Sequence, residues 1–379
     1  MHITLAAGIF YPDVGGPAIH VRKIAEAAVA NGWSVTVVAY GDTTEPDTFP
    51  FEVRRASRRW PKPLHWLAYF CILIRTAWSS DLIYAFDPSA AGLPARIAAA
   101  LLSKKFIIRI GGDPIWERTV EKGKRFISIT DYYQQNLHLQ DKPFTFKLIR
   151  FVLRGAQRVI TYTPMLAAIY ERYFSVASDS ITIIKNPVSR RETADTTLAA
   201  DGPHILFAGR FVRYKNLEQV ISVFATLREQ FGRGTLTLIG AGPDESRLRE
   251  RIAQTHTSDT VSILPSLPQA ALFDRIRASS VSIGPALTEF NPNFILESLS
   301  LGKPITLTKN HGLSVQIPDQ YLFDTMDPAD MQRAFAQFFE PDSYAAAVAM
   351  VNQLPLDIPW ESVTDAHIAL ITSLCANRT

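Results

Sequence analysis

The chain has 379 residues, 47% apolar and 20% charged, with a net charge of +3, which excludes wholesale disorder and sets an expectation of two domains. Its two cysteines, Cys71 and Cys375, exclude a disulfide framework and a cysteine metal cluster and fit a reducing cytoplasm. The charge is uneven: residues 1–200 carry 25 Lys+Arg against 17 Asp+Glu, a net of +8, and residues 201–379 carry 14 against 19, a net of −5. A basic first half expects an anionic partner, and without a nucleic-acid motif that partner is a lipid headgroup or a lipid phosphate.

"MHITLAAGIFYP" lacks the basic region and cleavage site of a leader and reads as a buried strand. A Gly-rich turn follows. "AIHVRKIAEAAVANG" then has apolar positions at helical spacing and a C-terminal cap at Gly32, and "WSVTVVAYG" is the next strand. The opening is therefore β-loop-α-β, a Rossmann-like unit. The cluster Arg54, Arg55, Arg58, Arg59 and Lys62 precedes "LHWLAYFCILI" (64–74). This run is too short to span a bilayer, which takes about 20 residues, and reads as a core helix or as an interfacial one. "DLIYAF", "KFIIRIGG", "RVITYT" and "SITIIKNPV" continue the strand series. Residues 189–203, polar and without periodicity, read as a linker. The strand-helix alternation then restarts at "HILFAGR" and ends in an amphipathic helix led by Trp360. The expected domains are 1–188 with 360–379, and 204–359.

Four loops hold candidate chemistry, all between a strand and the next helix, where open α/β sheets bind ligands. Gly15 and Gly16 let backbone approach an anion at a helix N-terminus, although a plain turn would use them equally. Gly209, Arg210 and Lys215 present two cations that suit a diphosphate, or solvated surface charges. Gly240 and Gly242 make half of a dinucleotide fingerprint. "EFNPNFILESLSLGKP" (289–304) has a helix start at Asn291-Pro292, a stop at Gly302, Glu289 before the helix and Glu297 within it.

Taken in order, these motifs resemble the retaining glycosyltransferases of the GT-B fold, family 4. The resemblance covers nearly the whole chain: the Gly15-Gly16 loop, the "GR…K" element, the "GxGP" turn with Pro243, and two glutamates separated by seven residues. It implies an α/β fold of two Rossmann-like, doubly wound domains facing a cleft, with a C-terminal helix crossing back to the N-terminal domain. It implies an acceptor-binding first domain and a second domain holding a nucleotide-sugar donor. Glu297 would then accept bonds from the ribose hydroxyls, Glu289 would face the donor sugar, and the N–H groups of Asn293, Phe294 and Ile295 would meet the sugar and diphosphate. Arg210 and Lys215 would neutralise the leaving diphosphate, so neither a metal nor a further cofactor is expected.

The chain departs from the family pattern in the first domain, where "RIGGDPIWER" has Gly111, Gly112 and Asp113 but no histidine, and "AFDPSAAG" has Asp87. Asp87 and Asp113 become the acceptor-side candidates. Phe290 stands where the family often has glycine. The expected protein is a cytoplasmic glycosyltransferase, peripheral on the inner face of the membrane, acting on a lipid-linked or polysaccharide acceptor of the bacterial surface. A nucleotide-sugar epimerase of the same fold would need acid/base groups in the first domain, where histidines are scarce. A non-catalytic sugar-binding relative would not be expected to keep Arg210, Lys215, Glu289 and Glu297 together.

Overall fold

The computed structural model describes residues 1–13, 16–43, 47–191, 197–290, 292–313 and 315–376. They form two compact units: Met1–Ile115 with His138–Pro187 and Pro359–Thr379, and Trp116–Leu137 with Val188–Ile358.

The first unit is built on strands β1 (His2–Ala7), β2 (Ser34–Tyr40), β3 (Glu52–Ala56), β4 (Leu82–Ala85), β5 (Lys105–Arg109), β6 (Arg158–Thr161) and β7 (Ile181–Ile183). They pair in parallel in the order β3-β2-β1-β4-β5-β6-β7. The central strands are buried on both faces, as their unbroken apolar runs require; Ile3, Leu5, Ile83 and Ile107 are fully enclosed. Helix Trp360–Ala376 belongs to this unit and packs on helix Gly16–Ala30, with the rings of His20 and Trp360 4.9 Å apart.

After β8 (Val188–Ser189), the second unit has β9 (His204–Ala208), β10 (Thr235–Ile239), β11 (Val261–Leu264), β12 (Val281–Gly284), β13 (Ile305–Thr308) and β14 (Leu322–Phe323). These six are parallel in the order β11-β10-β9-β12-β13-β14. Order reverses between β9 and β12, so the loops after these two neighbours diverge and leave a crevice at their carboxyl ends.

Two features depart from the sequence reading. Residues 116–137, read as part of the first domain, pack with the second unit. The stretch 189–203, read as a linker, is attached to the second unit where it is described. β8 pairs antiparallel with β15 (Asp357–Ile358), the Arg191 N–H donates to the Ser300 carbonyl at 2.8 Å, and Leu198 packs on the core. Residues 192–196 of that stretch lie outside the described residues.

Candidate active site in the second unit

The loop after β9 turns through Gly209 and Arg210 into a short 3-10 turn, Arg213–Lys215, and then into helix Leu217–Phe231. Asn216 makes the change of direction with φ +51°, a left-handed conformation that asparagine tolerates, and its Nδ2 donates to the Thr325 carbonyl at 3.0 Å. The loop after β12 is tied to it by the Leu287 N–H, which donates to the Tyr214 carbonyl at 2.8 Å. Glu289 is held by its own backbone: its N–H donates to the Asn310 carbonyl at 2.9 Å, and its carbonyl accepts from the Gly312 N–H at 2.7 Å.

These ties bring Lys215 and Glu289 together. Lys215 Nζ donates to Glu289 Oε1 at 2.7 Å, and the two side chains are only 16% and 6% exposed. The ammonium also lies 5.3 Å from the centre of the Tyr214 ring. Burial and the carboxylates of Glu117, Glu289 and Glu121 push the Tyr214 phenol above its ordinary value, so it stays neutral. Lys215 and Glu289 were read as having separate roles; in the fold they form one buried pair.

Arg210 stands nearby but in solvent, 68% exposed, with Nη1 donating to Glu121 Oε1 at 3.0 Å. An exposed pair of this kind contributes about 0–1 kcal/mol. Arg210→Ala is therefore expected to leave the urea midpoint nearly unchanged. A large midpoint shift would make Arg210 structural.

The glycine pair after β10 has a packing role that its spacing did not announce. At Gly240 (φ +152°) a Cβ would fall 1.9 Å from the Gly209 carbonyl oxygen, and at Gly242 it would fall 2.2 Å from the Phe211 carbonyl oxygen. The Gly209 N–H donates to the Ile239 carbonyl and the Phe211 N–H to the Ala241 carbonyl, each at 2.9 Å. Gly240 and Gly242 thus let the loop bearing Arg210 lie directly on the next one.

Helix Asn293–Ser300 begins after Pro292; Asn291, read as its cap, lies outside the described residues. Its first internal bond runs from the Leu296 N–H to the Pro292 carbonyl at 3.1 Å. The N–H groups of Asn293, Phe294 and Ile295 precede that bond, in the first turn where amides point outward. Gly302, at φ +73°, ends the helix. Glu297 is half-buried and has a partner. Burial raises its pKa, while Gln269, whose Nε2 donates to Oε1 at 3.1 Å, and the Arg191 guanidinium pull it back.

Sequence reading missed the wall behind these loops. Fully buried Trp116 donates from Nε1 to the Ile127 carbonyl at 2.9 Å. Its ring meets Tyr214 and Phe290 edge-on, with centres 5.5 Å and 5.7 Å away. The Ile129 N–H donates to Thr288 Oγ1 at 3.0 Å. Phe290, the departure from the family pattern, is therefore packed against an aromatic partner.

In the first unit, Gly16 opens its helix, while Gly15 lies outside the described residues. Asp87 accepts from the N–H groups of Ser89 and Ala91 at 2.9 Å and 3.1 Å, and burial raises its pKa. Asp113 is 1% exposed and accepts from the Ile115 N–H at 2.9 Å. Both acceptor-side candidates thus bind the start of the chain that follows them. A buried group that the sequence reading passed over lies at the end of β5. Arg109 donates to Asn186 Oδ1 at 2.7 Å and sits 5.5 Å from the Tyr162 ring centre, and burial lowers its pKa. Their own burial, and after it the Arg109 charge, keeps His20 and His367 neutral, lowering the pKa of His20 to about 3. A charged residue in the apolar run "KFIIRI" was the available signal.

Two family models match the chain. Glycosyl transferase 4-like domain covers residues 15–187, and glycosyl transferases group 1 covers residues 189–350. The chain belongs to the GT-B glycosyltransferases of family 4 type. A D-inositol 3-phosphate glycosyltransferase of Acidothermus cellulolyticus is 25% identical over 252 residues, 60% of this chain and 55% of that protein. The chain spans about half the length of the curated relatives it matches. Among solved structures, a sucrose-phosphate synthase from Thermosynechococcus elongatus has a TM-score of 0.72 at 19% identity, covering 99% of both chains. Anabaena HepE in complex with UDP has a TM-score of 0.74 at 15% identity, covering 98% of this chain and 100% of that one. These two likenesses concern the GT-B fold. Among the described residues, no helix is long and apolar enough to cross a membrane.

Proposed function

We propose that this chain transfers a sugar from a nucleotide-sugar to an acceptor, retaining the anomeric configuration and using no metal. The observation that carries this reading is the buried Lys215–Glu289 pair, which joins the loop after β9, where Arg210 stands, to the loop after β12, which leads into helix Asn293–Ser300. A crevice there that offers cations and free amides suits a diphosphate, and HepE, of the same fold, is known in complex with UDP.

In the reaction the bond from the anomeric carbon to the diphosphate oxygen breaks, and an acceptor hydroxyl bonds to that carbon on the same face. The acceptor proton passes to the leaving phosphate. Negative charge grows on the diphosphate, and Lys215 and Arg210 stabilise it most at that point, which is how a binding group becomes a rate-accelerating one. These cations take the part a metal would otherwise play. Glu289 orients the donor sugar and the Lys215 ammonium together. Glu297 accepts from the ribose hydroxyls, with Gln269 and Arg191 fixing its orientation. A lipid-linked or surface-glycan acceptor on the inner face of the cytoplasmic membrane fits the basic first half and the exposed face of helix Lys62–Ala77, where Leu64, Trp66 and Leu67 are in solvent beside Arg58, Arg59 and Lys62.

The test is a thermal screen of UDP-, GDP-, ADP- and dTDP-sugars, in which the true donor raises Tm by mass action. Glu297→Ala is expected to raise the donor KM at least about 10-fold with a smaller change in kcat. If no nucleotide-sugar stabilises the protein and none is turned over, the reading fails. If Glu297→Ala lowers kcat alone, its assignment to the ribose is wrong.

A further inference from the structure

Helices Lys62–Ala77, Gly92–Leu101 and Pro143–Arg154 pack side by side in the first unit. At the second and third of them lies a shallow cleft of about 470 Å³ lined by Arg96, Lys147, Arg150, Phe151, Arg154 and Gly155. Four of these six residues are cations, and among the described residues no carboxylate lines the cleft. Among the described residues none of the four pairs with an aspartate or glutamate. Arg96 Nε and Arg150 Nε are buried and have no hydrogen-bond partner among the described residues. A set of like charges repels itself, so an assembly of this kind is stable when an anion joins it.

The cleft is also shaped. Arg96 lies with its guanidinium carbon 5.2 Å from the Phe151 ring centre, and Arg150 Nη2 donates to Ser175 Oγ at 2.9 Å. Gly155 makes room for Arg96, since a Cβ there would fall 1.7 Å from Arg96 Nε. Both guanidinium groups are thereby held at fixed positions, which favours the geometry of phosphate over a diffuse counterion.

What surrounds the cleft identifies the source of the phosphate. Phe144 is 72% exposed, and Phe151, Ile97 and Leu101 are also in solvent on the same two helices. A site for a free phosphate metabolite has no use for a rim of exposed aromatic and aliphatic side chains, whereas a lipid phosphate sits at the boundary between charge and hydrocarbon. The neighbouring helix and the residue that follows it continue the pattern with Leu64, Trp66, Leu67 and then Trp78.

We propose that the Arg96–Lys147–Arg150–Arg154 cleft binds the phosphate of an anionic lipid headgroup, with Phe144 and Phe151 entering the bilayer surface beside it. This extends the membrane contact proposed above to two further helices, and it stands whether or not the donor chemistry is right.

The full chain is sedimented with vesicles of phosphatidylcholine alone or mixed with phosphatidylglycerol, and glycerol 1-phosphate is titrated separately by calorimetry. The wild type is expected to bind only the mixed vesicles, and less as salt rises. Arg96→Gln with Arg150→Gln should weaken that binding about 10-fold or more. Gly155→Ala, which displaces Arg96 without changing charge, should weaken it in the same direction. Phe144→Ser with Phe151→Ser should lose vesicles while keeping glycerol 1-phosphate. Unchanged vesicle binding in the arginine variant overturns the site, as does binding abolished only by reversing Arg58, Arg59 and Lys62. Glycerol 1-phosphate bound without any vesicle binding overturns the lipid source. Donor-induced Tm shifts, measured on the same variants, should not change, which separates this test from that of the transfer reaction.

Discussion

Lys215→Met is expected to lower kcat at least about 100-fold and also to destabilise the fold, because one side chain serves both ends. Removing the ammonium leaves Glu289, 6% exposed in its side chain, without its 2.7 Å partner. Breaking a buried pair from one side costs about 3–5 kcal/mol, and the partial exposure of Lys215 puts this case near 3 kcal/mol. Glu289→Leu alone strands the ammonium in the same way. The double variant, Lys215→Met with Glu289→Leu, has neither charge to desolvate and recovers most of the stability but none of the activity. Urea denaturation of the four proteins measures the coupling, and steady-state kinetics on variants confirmed folded by circular dichroism measures the chemistry. If the two single losses simply add in the double variant, the pair is not coupled. If the double variant turns over donor at the wild-type rate, Lys215 has no part in the reaction.

Acidification is expected to unfold the first unit through His20. Its Nδ1 lies 2.9 Å from the Gly16 carbonyl, which only accepts, so Nδ1 carries the hydrogen of a neutral ring. Burial and the neighbouring Arg109 charge lower its pKa from 6.5 to about 3 in the folded state. The unfolded chain therefore takes up a proton below about pH 6.5 that the folded chain refuses. The stabilisation is fully present above that pH and is lost progressively as pH falls towards 3, to the extent of about 4–5 kcal/mol. His367, held neutral by burial, Arg109 and His20, acts in the same direction. His20→Gln keeps a donor for the Gly16 carbonyl and has no proton to gain. Its Tm should fall much less than that of the wild type between pH 7 and pH 4.5. Parallel Tm curves for the two proteins would show that His20 is already charged in the folded state.

The two sheets were legible because parallel strands buried on both faces leave unbroken apolar runs, as "HITLAA" and "LIYA" do. The loops that bear Arg210, Lys215 and Glu289 were legible for a related reason: strand ends and helix starts mark where an α/β sheet offers ligands access. Contacts across those loops were not. Nothing in the 74-residue separation of Lys215 and Glu289 announces an ion pair, and only the backbone ties to Tyr214, Asn310 and Gly312 bring the two together. The Gly240–Gly242 spacing also did not announce the neighbouring loop, whose backbone approaches both glycines. Arg109 and Trp116 escaped for opposite reasons. Arg109 sits in a strand whose apolar neighbours masked it, and Trp116 sits in a segment read as part of the first domain that clusters with the second unit.

That segment bears on how the protein can be taken apart. The second unit is not one continuous piece of chain: residues 116–137 are made before β6 and β7 of the first unit, and Tyr214 and Phe290 emerge only later. During synthesis the Trp116 indole must wait for partners still inside the ribosome, shielded by other contacts. A fragment beginning at residue 188 would carry every candidate donor-site side chain of the second unit yet present Tyr214 and Phe290 to water and leave Arg210 without Glu121. Dissecting the activity by truncation would therefore test a surface that the intact chain never exposes, and a covalent graft of 116–137 onto that fragment is the smallest piece that restores it.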